Sequence, residues 1–220
     1  MKLKRHSLLI ILLIFGSFTQ ITLGQSSATK AKQLLNKVTN KIKTYQTLKI
    51  DFKYNLSNYN ENINQESRGN IALQNNLYHL NFMGVNKIFD GTKIYTIIPE
   101  DEEINIVSFD KDDDTQLTPS NLFTFFQKGF NYKMDILQNL NGRKIQYVKL
   151  IPKDSNDQRK QVLVGIDTMT NHIYNIIETG KNSTVTTLTV TSLKTNIKLS
   201  ENHFKFVPSK YEDYYINNLD

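Results

Sequence analysis

The chain has 220 residues, of which 27 are basic and 21 acidic, and it contains neither cysteine nor tryptophan. Without thiols it forms no disulfide and offers no thiolate ligand, so its stability must come from a packed core. Three of the basic residues fall within the first five positions, which leaves a net charge of +3 beyond them, carried by scattered lysines. This composition argues against a nucleic-acid-binding protein, which needs a dense block of Lys and Arg along the phosphates.

The N-terminus has the layout of a secretory signal peptide. Lys2, Lys4 and Arg5 precede the unbroken apolar run LLIILLIF, and Thr22-Leu23-Gly24 matches the small-x-small cleavage pattern. We expect cleavage after Gly24, so that residues 1–24 are the signal peptide and residues 25–220 form a single exported domain. A retained N-terminal anchor helix is the alternative. No cysteine follows the apolar run, so lipidation at that place is excluded.

The next segment predicts an amphipathic helix. Between Ser27 and Lys43, apolar residues recur at helical spacing and are separated by lysines and asparagines. These apolar residues are Ala31, Leu34, Leu35, Val38 and Ile42. A helix with one apolar face needs a partner to cover that face, and a sheet is its natural partner.

From Leu48 onward the apolar period changes to two, which is typical of strands with one wet face. The strand candidates are 48–56, 67–74, 77–83, 85–89, 92–98, 103–109, 132–138, 143–151, 161–168, 172–179 and 184–195. The short turns between them favour antiparallel pairing. Thr118-Pro119 predicts the start of a Phe-rich helix that ends near Gly129. The predicted fold class is therefore α+β: one large, curved antiparallel sheet of about eleven strands, with short helices on its concave side.

The stretch NKIFDGTKIYTIIP predicts a tight hairpin within this sheet. An Asp90-Gly91 pair between two apolar runs is typical of a type I′ turn. The register that follows places Ile94 and Ile98 on one face of the sheet and Tyr95 on the other.

Catalytic and metal-binding patterns are weak. His79, His172 and His203 stand apart in the sequence, and we expect each to be a strand residue facing solvent rather than a metal ligand. The aspartates at 110, 112 and 114 imitate the start of a calcium-binding loop, but the glycine and the glutamate that such a loop needs are absent. Neither a Gly-x-Ser-x-Gly elbow nor a phosphate-binding glycine loop occurs. The sequence predicts a protein that is not an enzyme and uses no metal or cofactor.

Apolar side chains are more numerous than a simple cover for the sheet requires. Tyr78, Leu80 and Phe82 share one strand face, and the Phe-rich segment adds further aromatic surface. An ordinary core would explain any one of these residues, whereas together they indicate a hydrophobic cavity suited to acyl chains. The candidate lining residues are Phe52, Tyr54, Leu73, Tyr78, Leu80, Phe82, Ile94, Ile98, Leu122, Phe125 and Phe126.

Several segments follow one another in a set order between residues 28 and 216. They are AKQLLNKV, LKIDFKYNLS, GNIAL, Leu77-Tyr78, FDGTKIYTIIPE, Leu117-Thr118-Pro119 and FKFVPS. In this order and spacing the chain resembles the LolA family, the periplasmic carriers of outer-membrane lipoproteins.

The resemblance implies an eleven-stranded, half-closed β-barrel that is lidded by helices and holds the acyl chains of lipoproteins in its apolar interior. It implies a periplasmic monomer that accepts acylated lipoproteins from an inner-membrane lipoprotein-releasing ABC transporter and delivers them to an acceptor at the outer membrane. In proteobacterial members a basic residue after the Gly-initiated strand helps to latch the lid. This chain has Gln74-Asn75-Asn76 there, so we do not expect that latch.

Two other functions stay open on the sequence. An envelope sensor or interaction protein could use the same lipid-binding fold to detect mislocalised lipoproteins or to bind an envelope protein. Scattered Ser, His and Asp side chains could also form the site of an exported hydrolase, although no local pattern supports one.

Overall fold

The computed structural model describes residues 21–110 and 124–219, with side chains from residue 26 onward. Within these ranges the chain forms one α-helix, one sheet of twelve strands and short 3₁₀ turns. The elements are α1 (Ile21–Lys43), β1 (Thr47–Asn58), β2 (Ile63–Gln74), β3 (Leu77–Phe82), β4 (Val85–Phe89), β5 (Lys93–Ile98), β6 (Glu103–Ser108), β7 (Phe130–Leu140), β8 (Arg143–Pro152), β9 (Arg159–Asp167), β10 (Ile173–Gly180), β11 (Val185–Thr195) and β12 (Tyr215–Asn218).

The strands form one open sheet in the order β12-β6-β5-β4-β3-β2-β1-β11-β10-β9-β8-β7. Two antiparallel meanders, β1–β6 and β7–β11, are joined where β1 pairs with β11. The short β12 lies parallel to β6 and covers that edge of the sheet. Within the described ranges β7 forms the other edge, because it pairs with β8 alone.

The predicted fold class is confirmed, with three differences in detail. All eleven predicted strands are present, but β12 was not predicted, because four residues of an Asn-rich tail show no apolar alternation. Helix α1 begins at Ile21 rather than at Ser27. Of the predicted Phe-rich helix, residues 118–123 lie outside the described residues, and the described part is a 3₁₀ turn at Phe125–Gln127.

The hairpin between β4 and β5 has the predicted register but not the predicted turn. The strands are connected by Asp90, Gly91 and Thr92. A type I′ turn needs positive φ at both central residues. Gly91 has φ +100°, but Asp90 does not have positive φ. The Asp90 carboxylate instead accepts hydrogen bonds from the Thr92 and Lys93 amides at 2.9 and 2.8 Å. An Asx-type turn therefore replaces the type I′ turn.

Helix α1 packs on one face of the sheet, which we call the helix face. Ala31, Leu35 and Val38 of α1 are buried against Val148 and Val164 in a cluster that spans β7–β9. Met134 N donates to Ser27 Oγ at 3.1 Å, which ties the start of the described helix to the edge strand β7. No helix within the described ranges is long and apolar enough to cross a bilayer.

The 3₁₀ turn at Phe125–Gln127 closes the same cluster. The Phe126 side chain is fully buried there. Tyr132 Oη donates to the carbonyls of Phe126 and Gln127 at 2.9 and 2.7 Å, and Gln127 Nε2 donates to Thr39 Oγ1 of α1 at 3.2 Å. These bonds fix the turn between α1 and β7.

On the opposite face, strands β4–β6 are covered by residues 201–219, which we call the C-terminal strap and which end with the edge strand β12. Phe206 of the strap stacks on Tyr95 with 4.7 Å between the ring centroids. Below them, Ile88, Ile97 and Ile104 are buried in a separate cluster. The strap thus covers the apolar residues of β4–β6 that α1 does not contact.

Candidate functional site

The helix face of β1, β3, β5 and β11 carries a continuous set of apolar side chains, which we call the apolar wall. Its members are partly exposed, and the wall comprises Tyr54, Leu56, Leu80, Phe82, Ile94, Leu188 and Val190. The wall is continuous because directly paired residues of antiparallel strands share a face, and Tyr54 lies opposite Leu188. The pairing continues from Leu188 to Ile176 and from Ile176 to Val164, which joins the wall to the core under α1.

Among the described residues, α1 leaves most of this wall uncovered. The helix contacts β7 and the 3₁₀ turn, at the other end of the sheet from β3–β5. Its contribution to the cluster below the wall comes from Ile42, near the C-terminal end of the helix. That cluster is built from buried side chains of four strands: Leu48, Ile50, Ile71, Leu73, Tyr78 and Phe89. The wall is thus an extension of the core onto a partly exposed face.

Aromatic rings form the part of the wall on β1 and β3. Phe82 contacts Phe52 and Tyr54 with ring centroids 5.4 and 5.3 Å apart. The Phe52 ring lies on Gly69, where an added Cβ would come within 2.5 Å of Phe52 Cζ. A glycine at this place in β2 is therefore what allows a phenylalanine ring to lie flat against the sheet.

One cavity flanks the wall, and a second lies mainly on the opposite face of the sheet. The first, of about 410 Å³, lies between the end of α1 and the sheet, and Ile42, Leu48 and Leu73 line it. The second, of about 550 Å³, is lined by Asp51, Asn70 and Asn81, which form one row across β1–β3 on the face opposite to the wall. Both volumes lie in the range of small-molecule sites.

The structure brings most of the predicted lining residues together. Phe52, Tyr54, Leu73, Tyr78, Leu80, Phe82, Ile94 and Ile98 all lie on the helix face of β1–β5. Phe125 and Phe126 lie apart from them, in the cluster between α1 and β7–β9. Leu122 lies outside the described residues. That the eight side chains on the helix face of β1–β5 contact lipid stays a prediction, whereas Phe126 is fully buried in the core.

Sequence reasoning missed the contribution of β11 to the wall. Leu188 and Val190 join it because β11 pairs with β1, and the register shifts by one residue between Asp51 and Phe52. The alternation of Val, Leu and Thr in β11 was visible in the sequence, but its partner strand was not. The shift keeps Val190 opposite Phe52 and so on the helix face.

The three histidines are all partly buried, so the expectation that each is a strand residue facing solvent was wrong, and of the three only His79 lies in a strand. The rings of His79 and His203 lie 5.3 Å apart on the opposite face, and His79 Nδ1 is 3.1 Å from the His203 carbonyl oxygen. Burial, with the neighbouring His203 as a second cause, holds the pKa of His79 below its ordinary value. His172 Nε2 is 2.7 Å from Tyr45 Oη, and burial also lowers the pKa of His172. Both pairs join elements of the fold.

The place of the missing latch residue is a polar rim. Gln74 and Asn75 line the 410 Å³ cavity, together with Gln46 and with Lys43 from the end of α1. A cation therefore stands at this rim, but on the helix rather than on the turn after β2.

The fold is similar to that of several solved structures. An uncharacterized conserved protein from Thermus thermophilus superposes with a TM-score of 0.57 at 8% identity, covering 83% of this chain and 98% of that one. The two proteins share this fold. Sequence comparison finds no matching protein family and no matching curated protein.

Two further structures are similar at lower scores. A LolA superfamily protein from Nitrosomonas europaea covers 80% of this chain and 97% of its own, with a TM-score of 0.43 at 10% identity. The complex of MucA and MucB from Pseudomonas aeruginosa matches with a TM-score of 0.45 at 15% identity, covering 81% of this chain and 61% of that one. Membership of the LolA family stays a prediction from the sequence.

Proposed function

We propose that the protein is a non-enzymatic periplasmic carrier that holds the acyl chains of lipoproteins against the apolar wall. The observation that carries this proposal is the wall itself: seven apolar side chains on one sheet face that stay partly exposed beside a cavity of about 410 Å³. Soluble proteins normally bury such surface unless it binds something. An apolar ligand would complete the cover.

The energetics favour a hydrocarbon chain as the occupant. Each CH₂ that leaves water contributes about 0.8 kcal/mol, so an acyl chain gains affinity in proportion to the length that the wall covers. The wall supplies contact through Leu, Ile, Val and aromatic side chains, which give dispersion contacts without demanding hydrogen bonds. A ligand rich in polar groups would leave those groups unpaired against this surface.

The sequence supports the proposed location and partners. The N-terminal signal pattern supports export to the periplasm after cleavage near Gly24. In the proposed cycle, an inner-membrane lipoprotein-releasing ABC transporter loads the protein and an acceptor at the outer membrane unloads it. The resemblance to the LolA family supports this cycle, and the protein works in it as a chaperone for acylated cargo.

Mass spectrometry of protein purified from its native periplasm tests the function. We expect co-purifying lipoproteins, and more of them when lipoprotein release is overloaded. Absence of any acylated protein or lipid under both conditions contradicts the carrier. A stoichiometric partner without acyl groups, and without transfer of lipoproteins between membranes, would favour the envelope sensor instead.

A further inference from the structure

Positive charge is concentrated on α1. The helix contains five lysines, Lys30, Lys32, Lys37, Lys41 and Lys43, and no acidic residue. Residues 44–220 hold 19 basic and 21 acidic side chains, so the rest of the domain has a net charge of −2. The surplus of basic residues that the sequence shows as scattered therefore belongs to one helix.

These lysines lie on the surface of the molecule. All five are exposed, and within the described ranges none forms a salt bridge. Lys30, Lys37 and Lys41 are spaced i, i+7 and i+11, which aligns them along one flank of the helix over about 16 Å. Lys32 and Lys43 lie on the other flank by the same geometry.

Acidic side chains lie towards the far edge of the sheet. Glu100, Asp101 and Glu102 form the exposed turn between β5 and β6, and the Tyr215 amide of β12 donates to the Glu102 carbonyl at 2.8 Å. Glu212 and Asp213, which precede β12, are also exposed. Helix α1 packs at the β7 edge and this acidic group lies at the β6–β12 edge, so charges of opposite sign are found at the two ends of the strand order.

We propose that α1 docks the protein on a bilayer surface that contains anionic phospholipids. This inference rests on the proposed carrier function and names the surface at which loading or unloading takes place. The charge separation turns α1 towards an anionic plane and the β6–β12 edge away from it. Docking through α1 also brings the rim of the 410 Å³ cavity, which includes Lys43, close to the lipid headgroups.

The chemistry of the helix favours a lipid surface over an acidic protein. All five cations are lysines, which act as hydrated point charges on flexible stems and suit a diffuse layer of phosphates. A protein partner is usually recognised through Arg and aromatic side chains, and Lys is depleted at the centres of such interfaces. The outward positions between the two flanks are polar and uncharged, namely Gln33, Asn36 and Asn40, so α1 offers no apolar anchor.

Vesicle co-sedimentation tests the inference on protein purified from the periplasm and freed of lipid. The vesicles contain either phosphatidylcholine alone or phosphatidylcholine with about 30 mol% of the anionic lipid phosphatidylglycerol. We expect binding to the anionic vesicles only, and weaker binding as NaCl rises, because salt screens exposed charges. Equal binding to both vesicles, or binding to neither, overturns the proposal.

A matched pair of variants locates the docking surface. Lys30→Gln/Lys37→Gln/Lys41→Gln removes one flank of α1, and at roughly 1 kcal/mol for each lysine we expect vesicle affinity to fall about 100-fold. Lys198→Gln/Lys205→Gln/Lys210→Gln removes the same charge from exposed positions before and within the C-terminal strap and should change affinity less than threefold. Equal losses in the two variants would show an effect of net charge alone and would overturn the proposal.

A second measurement separates this inference from the proposed function. A neutral monoacylglycerol with a pyrene label, added without vesicles, reports on the apolar wall. We expect the α1 variant to bind this probe like the unmodified protein. Normal docking without probe binding would refute the carrier function but not the membrane surface, whereas probe binding without docking would refute the docking surface alone.

Discussion

A charge placed on the apolar wall should block acyl binding while the fold persists. Leu188 is the best position, because it is partly exposed at the centre of the wall and belongs to none of the buried clusters. In Leu188→Asp, the carboxylate faces the surface that an acyl chain would cover. Thr189→Asp is the matched control, since the neighbouring side chain points to the opposite face, where Thr189 lies across from Lys53.

The size of the effect follows from the cost of desolvating the introduced carboxylate. The carboxylate must take up a proton before an acyl chain can cover it, and at pH 7 this protonation costs about 4 kcal/mol for a group with an ordinary pKa near 3.9. Because the side chain can turn partly towards water, we expect a weaker effect, a 10- to 100-fold loss of affinity. The free energy of unfolding should fall by about 1–2 kcal/mol, the transfer free energy of a leucine that is only partly buried.

The assay compares two measurements on each variant: titration with the pyrene-labelled monoacylglycerol, and thermal unfolding. Phe126→Ala provides the reverse case, because Phe126 is fully buried and its truncation should cost about 3–5 kcal/mol, or roughly 6–20 °C in Tm. Its affinity for the probe below the transition should stay normal. If Leu188→Asp binds the probe as tightly as Thr189→Asp does, the wall is not the binding surface.

Three further predictions concern stability. Gly69→Ala should lower the free energy of unfolding by about 1–3 kcal/mol, because the new Cβ would lie 2.5 Å from Phe52 Cζ and 2.8 Å from the Asn81 carbonyl oxygen. Urea unfolding should show that Phe52→Leu partly restores this stability, and no restoration would contradict this packing. Asp90→Ala should cost about 1–3 kcal/mol by the same measurement, since the carboxylate accepts from two amides and from Tyr95 Oη, and an unchanged midpoint would show that the turn does not need it. Burial lowers the pKa values of His79, His172 and His203 below the ordinary value of 6.5, so the folded state favours their neutral forms. Tm should therefore reach its maximum above pH 6.5 and fall as the pH drops to 5.5, with a smaller fall in His79→Gln. A Tm that does not change with pH would refute this reasoning.

The strands could be predicted because their signals are local. The alternation from Leu48 to Leu56 and the Asp90-Gly91 turn are each contained in a few residues, and hydrophobic period and short turns sufficed to find eleven strands. Strand β12 could not be found this way. Its four residues are fixed by parallel pairing with β6, a contact between segments more than 100 residues apart.

The candidate site was predictable only in part, for a related reason. Phe52, Leu80 and Phe82 could be assigned to one surface because β1, β2 and β3 are consecutive strands of one meander, whose register follows from short turns. Leu188 joins them through the β1–β11 pairing, which no turn connects. Phe126 was grouped with the same surface on aromatic character, but its depth depends on α1 packing over β7–β9. Composition does not contain that information.

The joint between β1 and β11 also has a consequence for how the chain folds. Pairs within each meander join strands that are consecutive along the chain, whereas Leu48 in the first strand must meet Thr195 in the eleventh. Contacts of such sequence separation close the largest loops and are slow to form. We expect each meander to acquire its hydrogen bonds early and the joint to be the late, rate-limiting step. Until then, strand β1 presents an unpaired edge that is prone to aggregation unless a chaperone shields it.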